Sequence, residues 1–452
     1  MSTNPLIRLN RSEYGSLASE PYIGPIVVTV VMCFDRPMAL APIKSALRDI
    51  TLAFPRLRAN IVPTWLTYKM SVLPQDEWLE ELMDQAVTIL PHLDANDPAT
   101  LEILQTRALN TPMALTRGLP WYAWYVPHPE RPLLVHNIHH MVGDGYSMSL
   151  IHRAFLARLH GLPIDTLPIE SSSQLPGVAP KHWWQWPQSI WATIRNARED
   201  ARQNKGDHVV TIHTRRSERY TSSGMRQIDL PGGLTAAKAA AKRLRTSVNT
   251  LVAALIAEVI LAREKDNPKA VCVLRIAVDL RRYFPKDQAP KIGNYVVNIE
   301  VRARHQADLI TQIQSLTEQV QKQLGRYARR EGALACVVLE ALTYVITQGT
   351  LAKGFIEMKA SGAMGKTSVF FTNVGSTAGM LPSPAQFGLT DYSMLSIGPT
   401  FFVALISHHE RLQLGISHQL DEIPRAALDE FLVALDKQYR EFVTSVAQTV
   451  PA

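Results

Sequence analysis

Cysteine is scarce in this sequence of 452 residues. The three cysteines, Cys33, Cys272 and Cys336, lie in apolar segments, and no two of them form a CxxC pair. An odd number of isolated thiols does not suit a disulfide framework, and closely spaced cysteine pairs are the usual sign of structural zinc or redox sites. We therefore expect buried, reduced thiols and a reducing, cytoplasmic environment.

Long apolar runs and blocks of like charge are also missing. No apolar run reaches the roughly 20 residues that span a bilayer, and the N-terminal segment MSTNPLIRLNRSEYGS has no apolar core of the secretory kind. The net charge is +7, but basic residues alternate with acidic ones and form no long run. We expect no nucleic-acid binding; the excess charge fits either ordinary solubility or weak attraction to an anionic cofactor or membrane.

The length of the chain indicates more than one folding unit. Apolar residues make up 46% of the chain and charged residues 19%, so large cores can form, yet single cores stop growing near ~250–300 residues. Prolines and a Ser-Ser-Ser run interrupt the middle of the chain. We predict an N-terminal half at residues 1–165, a crossover linker at 166–205 and a C-terminal half at 206–452.

Strand and helix patterns alternate in both halves. Runs rich in β-branched residues predict buried strands, and apolar residues at helical spacing predict amphipathic helices. The mixture predicts the α/β or α+β class. The main predicted strands cover residues 26–34, 122–126, 132–138, 271–278 and 369–374, and the main helices cover 41–51, 146–159, 236–244, 248–265, 307–330 and 424–446.

Two adjacent histidines follow the strand predicted at 132–138, in the sequence HHMVGDG at residues 139–145. A neutral imidazole, with a pKa of about 6.5, is well suited to remove a proton from an attacking hydroxyl or amine. Gly143 and Gly145 allow a tight turn and close approach of a ligand. Asp144 can hold the turn by pairing with an arginine elsewhere. The motif therefore favours acyl transfer with histidine as general base.

Two other interpretations remain open from these residues alone. His136 and His140 could share a helix face and bind zinc, but the preceding Pro-Leu-Leu-Val run favours a strand, and no HExxH motif is present. The histidine pair could also be purely structural, because buried histidines are common.

The motif HHxxxDG resembles the signature of a large acyltransferase superfamily. That superfamily includes chloramphenicol acetyltransferase, plant alcohol acyltransferases, condensation domains of peptide synthetases, and the wax ester synthase/diacylglycerol acyltransferase family. The last branch is the most similar. Its motifs are matched in part by Leu119-Pro120-Trp121, Ser247 to Ala254, Asp279-Leu280-Arg281 followed by Gly293-Asn294, and Thr372-Asn373-Val374-Gly375. Thr250 stands where that branch has Asp, and the proline after Val374 is missing.

The resemblance implies a role for each matching residue. His140 would be the general base, and His139 would pack behind the loop. Asp144 would form an ion pair with Arg281, for which Arg282 is a rival. Gly145 would allow the acyl carrier to approach. The pair Thr372 and Asn373 would either support the oxyanion or form only a turn at a strand end.

The resemblance also implies the fold and the reaction. The expected architecture is two chloramphenicol-acetyltransferase-like halves with a central tunnel between them. An acyl-CoA thioester would be a co-substrate, with no bound cofactor, no metal and no covalent acyl-enzyme. The acceptor would be a fatty alcohol, a diacylglycerol, a specialised-metabolite alcohol or an amine. The alternatives are a free-standing condensation enzyme that uses an acyl carrier protein, and a catalytically silent relative that binds acyl chains.

Half of the eight tryptophans lie close together in the crossover segment. Trp183, Trp184 and Trp186 precede a helical pattern that carries Trp191, Arg195, Arg198 and Arg202. This pattern is typical of an amphipathic helix at a membrane surface. It also fits a crossover segment packed on the surface of the protein itself.

Overall fold

The computed structural model describes residues 4–217, 220–361, 366–398 and 401–448. The strands are β1 (Leu6–Arg8), β2 (Val27–Phe34), β3 (Ala59–Pro63), β4 (Tyr68–Val72), β5 (Val87–Ile89), β6 (Trp121–Val126), β7 (Leu133–His139), β8 (His208–Val209), β9 (Ser223–Asp229), β10 (Ala270–Asp279), β11 (Val296–Arg304), β12 (Val369–Ser376), β13 (Leu389–Ser396), β14 (Phe402–His408) and β15 (Arg411–Gln419). The helices are α1 (Arg11–Ile23), α2 (Leu40–Ala53), α3 (Glu77–Gln85), α4 (Pro98–Asn110), α5 (Gly145–Leu159), α6 (Leu175–Val178), α7 (Trp186–Gln203), α8 (Gly233–Arg243), α9 (Val248–Leu261), α10 (Leu309–Ala328), α11 (Ala333–Leu342), α12 (Gln348–Ala360) and α13 (Arg425–Gln448).

Within these ranges the strands form three sheets. A five-stranded sheet has the order β13-β2-β7-β6-β5, and a seven-stranded sheet has the order β11-β10-β12-β14-β15-β9, with β8 beside β10. A small sheet contains β1, β4 and β3. Both large sheets mix parallel and antiparallel pairs and are covered by helices. The predicted mixed α/β class is confirmed.

Each large sheet has its own hydrophobic core. The core on the five-stranded sheet includes alternate residues of β2 and the inward faces of α2 and α5. The core on the seven-stranded sheet includes α9, which is apolar on nearly every side, together with residues of α10 and α13. This division agrees with the size limit on a single core.

Strand β13 joins the two parts of the chain. Although it lies late in the sequence, it pairs antiparallel with β2 at the edge of the five-stranded sheet, with Met394 opposite Val30. The chain then returns to the seven-stranded sheet through β14. The predicted division at 1–165, 166–205 and 206–452 stays a prediction.

The predicted linker contains ordered structure. Its second part is helix α7, which packs against α11.

The three cysteines are buried and unpaired, as expected. Burial raises the pKa of the Cys33 thiol to about 11 and that of Cys272 to about 12.

In the described ranges no single helix has the length and hydropathy of a membrane span. One pair of helices has this length and hydropathy when taken together, α8 and the segment Val248–Glu264, but the two are bent by 92° relative to each other.

Candidate active site

The two adjacent histidines lie where β7 ends and point to different surroundings. The backbone N–H of His140 donates to the carbonyl of Ile26 over 2.8 Å, which extends the pairing with β2 by one residue. The His139 side chain is fully buried, with Nε2 2.9 Å from Glu20 Oε1. Its Nδ1 accepts a hydrogen bond from the N–H of Met141 at 3.0 Å. Both ring nitrogens of His139 are therefore engaged with the protein.

His140 lies on the wall of a cavity. Its Nδ1 is 3.0 Å from Nδ2 of Asn294, which belongs to the C-terminal part of the chain. Burial lowers the pKa of His140, although backbone carbonyls of His140 and Gly143 and the charge of Asp144 act in the opposite direction. A lowered pKa keeps the imidazole neutral near pH 7, which is the form that accepts a proton.

Asp144 forms a buried ion pair. Its Oδ2 lies 2.7 Å from Nη1 of Arg281 and accepts a hydrogen bond from the N–H of Tyr295 at 2.8 Å. Its Oδ1 accepts from the backbone N–H and the hydroxyl of Ser147, each at 3.0 Å, and so caps helix α5. The rival Arg282 is exposed, with its guanidinium over the ring of Tyr283. The structure therefore pairs Arg281 with Asp144.

The guanidinium of Arg281 connects the histidine loop to the segment before β11. It lies 4.7 Å from the ring centres of both Tyr146 and Tyr295. It also donates to Ser147 Oγ at 3.0 Å and to the carbonyl of Gly293 at 2.9 Å. Such a set of planar, charge-assisted contacts is specific to arginine. The start of α5 is thereby fixed to the part of the chain that carries Asn294.

The two glycines of the motif serve different geometric needs. A Cβ at Gly143 would lie 2.4 Å from the Cβ of Ser147, which is far inside contact distance. A Cβ at Gly145 would meet nothing within 4 Å, and Gly145 lines the cavity. Gly143 therefore permits the packing of the turn, and Gly145 leaves room beside His140.

A second buried polar cluster holds the other side of the histidine loop. Arg56 Nη1 lies 2.6 Å from Glu13 Oε1 and donates to the carbonyl of Met141 at 3.2 Å. The same carboxylate oxygen of Glu13 accepts the N–H of Asn294 at 3.0 Å. Asn10 donates through Nδ2 to the carbonyl of Asn294 at 2.8 Å.

Sequence reasoning missed Glu13, Asn10 and the contact of Asn294 with His140. Two signals were available. One was the arginine in the run Phe54-Pro55-Arg56-Leu57-Arg58, and the other was the Gly-Asn pair at 293–294. Neither signal identifies its partner, which lies 43 residues away for Arg56 and Glu13 and 154 residues away for Asn294 and His140.

The cavity measures about 710 Å³ and lies between the two parts of the fold. One wall is a face of the seven-stranded sheet, because side chains alternate along strands: Leu274 and Ile276 enter the core, whereas Arg275 and Ala277 face the cavity. Serines of α1 at helical spacing form part of another wall. The apolar lining includes Ile23, Val28, Leu150, Phe355, Phe370, Met394, Leu395, Ile397 and Phe402.

Thr372 and Asn373 both line this cavity, on β12. The Asn373 amide is engaged within the protein, since Nδ2 lies 2.5 Å from Asn249 Oδ1 and Oδ1 accepts the N–H of Gly375 at 2.7 Å. The structure thus brings His140, Gly145, Thr372 and Asn373 to one cavity, where Asp144 also contributes to the lining.

The third histidine of the segment lies apart from this cavity. His136 is buried in the core, with Nδ1 3.1 Å from His152 Nε2 and its ring edge-on to Trp121. Among the described residues, no group of three or more His, Cys, Asp or Glu side chains is arranged to hold a metal ion.

The sequence of the chain matches a known protein family. The model of the Transferase family matches residues 133–365, which is more than half of the chain and includes the histidine motif. The chain therefore belongs to the Transferase family. No curated protein matches it in sequence. Its closeness to the wax ester synthase/diacylglycerol acyltransferase branch stays a prediction.

Solved structures share the whole fold at low identity. The first condensation domain of the CDA synthetase superposes with a TM-score of 0.68 at 15% identity, covering 98% of each chain. The trichothecene 15-O-acetyltransferase from Fusarium sporotrichioides gives 0.64 at 12% identity, covering 96% of this chain and 94% of its own. The starter condensation domain of rhizomide synthetase, solved with C8-CoA and Leu-SNAC, gives 0.66 at 13%, covering 98% and 95%. The expected two-halved acyltransferase fold is confirmed, and family and fold support acyl transfer in general.

Proposed function

We propose that this protein transfers an acyl group from an acyl-CoA thioester to the hydroxyl group of a small, largely apolar acceptor. The observation that carries the proposal is the position of His140, which lies on the wall of the cavity with its pKa lowered by burial and its Nδ1 in contact with Asn294. The proposal assigns Nε2 to the substrate and requires the neutral tautomer with its hydrogen on Nδ1, because an Nε2 that already carries a hydrogen cannot accept a proton. The backbone carbonyls of His140 and Gly143, which accept from the ring, are the proposed partners of that hydrogen.

The reaction follows from this placement. Nε2 of His140 takes the proton of the acceptor hydroxyl as its oxygen attacks the thioester carbonyl. When the tetrahedral intermediate collapses, the C–S bond breaks and the leaving thiolate receives that proton from His140 as free CoA thiol. A cysteine thioester intermediate is not part of the proposal, because no cysteine lines the described cavity and burial raises the pKa of all three thiols.

The other residues of the site are assigned supporting roles. Thr372 is the proposed donor to the oxyanion, because the amide of Asn373 is already engaged with Asn249 and Gly375. Asp144 and Arg281 hold the turn that carries His140, and His139 anchors the loop to Glu20. These three are positioning residues. Gly145 leaves space for the acyl thioester.

The experiment is turnover of purified protein with a panel of acyl-CoAs and alcohols, measured as free CoA thiol. We expect ester formation, and we expect His140→Ala to lower kcat by roughly 10²–10⁴-fold, the usual contribution of a general base. His92→Ala is the matched control, because His92 is exposed and does not line the cavity. Wild-type turnover in His140→Ala would refute the mechanism.

A second candidate is condensation with an amine, with the acyl group supplied by a carrier protein. The likeness in fold to two condensation domains favours it. The same assay separates the two candidates: amide formation from a phosphopantetheine-bound acyl carrier, with no ester from acyl-CoA and alcohols, would select condensation. Tight acyl-CoA binding without any turnover would instead indicate a silent acyl-binding relative.

A further inference from the structure

Helix α7 has large apolar side chains on its solvent face. Trp191 is 62% exposed and Ile194 is 42% exposed, and just before the helix Trp183 and Trp184 are 80% and 59% exposed. The residues of α7 that are buried against the protein are Ser189, Ala192 and Asn196. A surface helix of a water-soluble protein normally has the opposite arrangement.

Polar side chains on the buried face of α7 attach it to the rest of the protein. Ser189 Oγ donates to the carbonyl of Arg330 at 2.5 Å, and Thr193 Oγ1 donates to the carbonyl of Glu331 at 2.7 Å. Asn196 Nδ2 donates to a carboxylate oxygen of Glu331 at 3.1 Å. None of these three hydrogen bonds involves the exposed tryptophans.

The charged side chains of α7 are also divided between its solvent face and its buried face. The structure describes every residue of this helix, and its exposed charged residues are Arg195, Arg198 and Arg202. Its two partly buried acidic residues turn toward α10, where Glu199 pairs with Lys322 and Asp200 with Arg326. The solvent face is thus both aromatic and cationic.

Helix α11, which packs against α7, also has exposed apolar side chains. Its Val338, Leu339 and Leu342 are 46%, 49% and 37% exposed. Tryptophan is favoured at the level of lipid headgroups, and arginine beside it is attracted to anionic lipids. A neutral protein partner would explain the apolar residues but not the cationic charge.

We propose that Trp183, Trp184 and the solvent face of α7 form a docking surface for an anionic lipid bilayer. The helix lies in the plane of the interface, with the tryptophan rings among the headgroups and the three arginines against lipid phosphates and carboxylates. Trp186, which the sequence pattern grouped with Trp183 and Trp184, is half-buried and contributes less than Trp191.

Vesicle flotation of the full chain tests this surface. We expect the protein to float with vesicles of phosphatidylcholine and phosphatidylserine and much less with phosphatidylcholine alone. The variant Trp183→Ala/Trp184→Ala/Trp191→Ala should reduce the bound fraction on anionic vesicles by roughly tenfold. The control Trp65→Ala/Trp78→Ala removes two exposed tryptophans elsewhere and should bind as wild type does.

A variant with fewer positive charges on α7 distinguishes electrostatic attraction to anionic lipids from nonspecific adsorption to vesicles. Arg195→Gln/Arg198→Gln/Arg202→Gln should weaken binding to anionic vesicles, whereas Lys238→Gln/Lys242→Gln/Arg243→Gln, which removes equal charge from exposed positions of α8, should not. His140→Ala should float as wild type does, so this test is independent of the proposed chemistry. The proposal is overturned if the wild-type protein does not float with anionic vesicles, or if the tryptophan variant floats as well as the wild type does. It is also overturned if the wild-type protein binds no vesicles but forms a dimer in solution that the tryptophan substitutions dissociate.

Discussion

Asn294 is the side chain that contacts the proposed base, with its Nδ2 3.0 Å from Nδ1 of His140. Its backbone N–H and carbonyl are held independently by Glu13 and Asn10. A change of the Asn294 side chain should therefore alter the orientation of the His140 ring while Glu13 and Asn10 still hold the backbone of residue 294. This separation makes Asn294 a suitable place to test how the base is positioned.

We expect Asn294→Ala to lower kcat by roughly 10- to 100-fold, less than the loss of the base itself, with little change in KM. Steady-state kinetics with the best acyl-CoA and acceptor measure this. Asn298→Ala is the matched control, because Asn298 also lines the cavity from the same segment. Equal losses in both variants would show that Asn294 acts only through the shape of the cavity.

The lowered pKa of His140 predicts the pH dependence of the reaction. Because burial shifts the pKa below its ordinary value of 6.5, the imidazole stays neutral at pH 7 and is protonated only at more acidic pH. The rate kcat/KM should be level near neutral pH and fall as the pH drops through the lowered pKa. A pH–rate profile measures it, and an acidic limb centred above pH 7 would contradict the assignment.

At the scale of elements, the start of helix α5 is the part of the fold on which the site most depends. Asp144 caps this helix and forms the ion pair with Arg281, and both side chains are buried. Removing one partner of such a pair costs about 3–5 kcal/mol, because the other charge is left buried and unpaired. The same turn contains Gly143, where an added Cβ would meet Ser147, and Gly145, where an added Cβ would meet no atom within 4 Å.

Gly143→Ala and Gly145→Ala should therefore separate folding from access to the site. The first substitution places a methyl group 2.4 Å from the Cβ of Ser147 and should lower the melting temperature. The second meets no atom within 4 Å and should leave the melting temperature unchanged while raising KM for the acyl donor. Thermal melts with kinetics on both variants test this, and a destabilised Gly145→Ala variant would count against it.

At the scale of the whole molecule, β13 makes the two sheets depend on each other. It completes the five-stranded sheet beside β2, and without it the buried, apolar β2 would be an exposed edge. The buried Tyr392 of β13 also belongs to the core of that sheet. The two parts of the chain should therefore unfold together.

Urea unfolding can test this coupling, because all eight tryptophans lie at or before Trp191. Of these, Trp121 and Trp124 on β6 of the five-stranded sheet are buried, whereas Trp183, Trp184 and Trp191 are already exposed in the folded chain. The change in fluorescence therefore reports mainly on the five-stranded sheet, whereas far-ultraviolet circular dichroism reports on the whole chain. We expect coincident transitions, and we expect Tyr392→Ala to move both to lower urea together. Separate transitions in the wild-type chain would show that the sheets are independent.

Local patterns in the sequence predicted much of this fold. The strands at 26–34 and 132–138 and the helix at 146–159 were found within one or two residues, because hydrophobic periodicity acts over short distances. Helix α1 and strand β13 were missed. The cavity-facing side of α1 carries serines instead of an apolar stripe, and β13 buries Asp391, Ser393 and Ser396 among its apolar residues.

The sequence by itself determined the mixed class, the buried thiols, and the placement of HHxxxDG between a strand and a helix. Only the tertiary structure decided that Arg281 and not Arg282 meets Asp144, that Asn294 and Glu13 complete the surroundings of the histidines, and that the tryptophans near α7 face solvent. The reason is physical. Periodicity is a property of neighbouring residues, whereas these contacts join segments more than a hundred residues apart, whose meeting depends on how the two sheets pack.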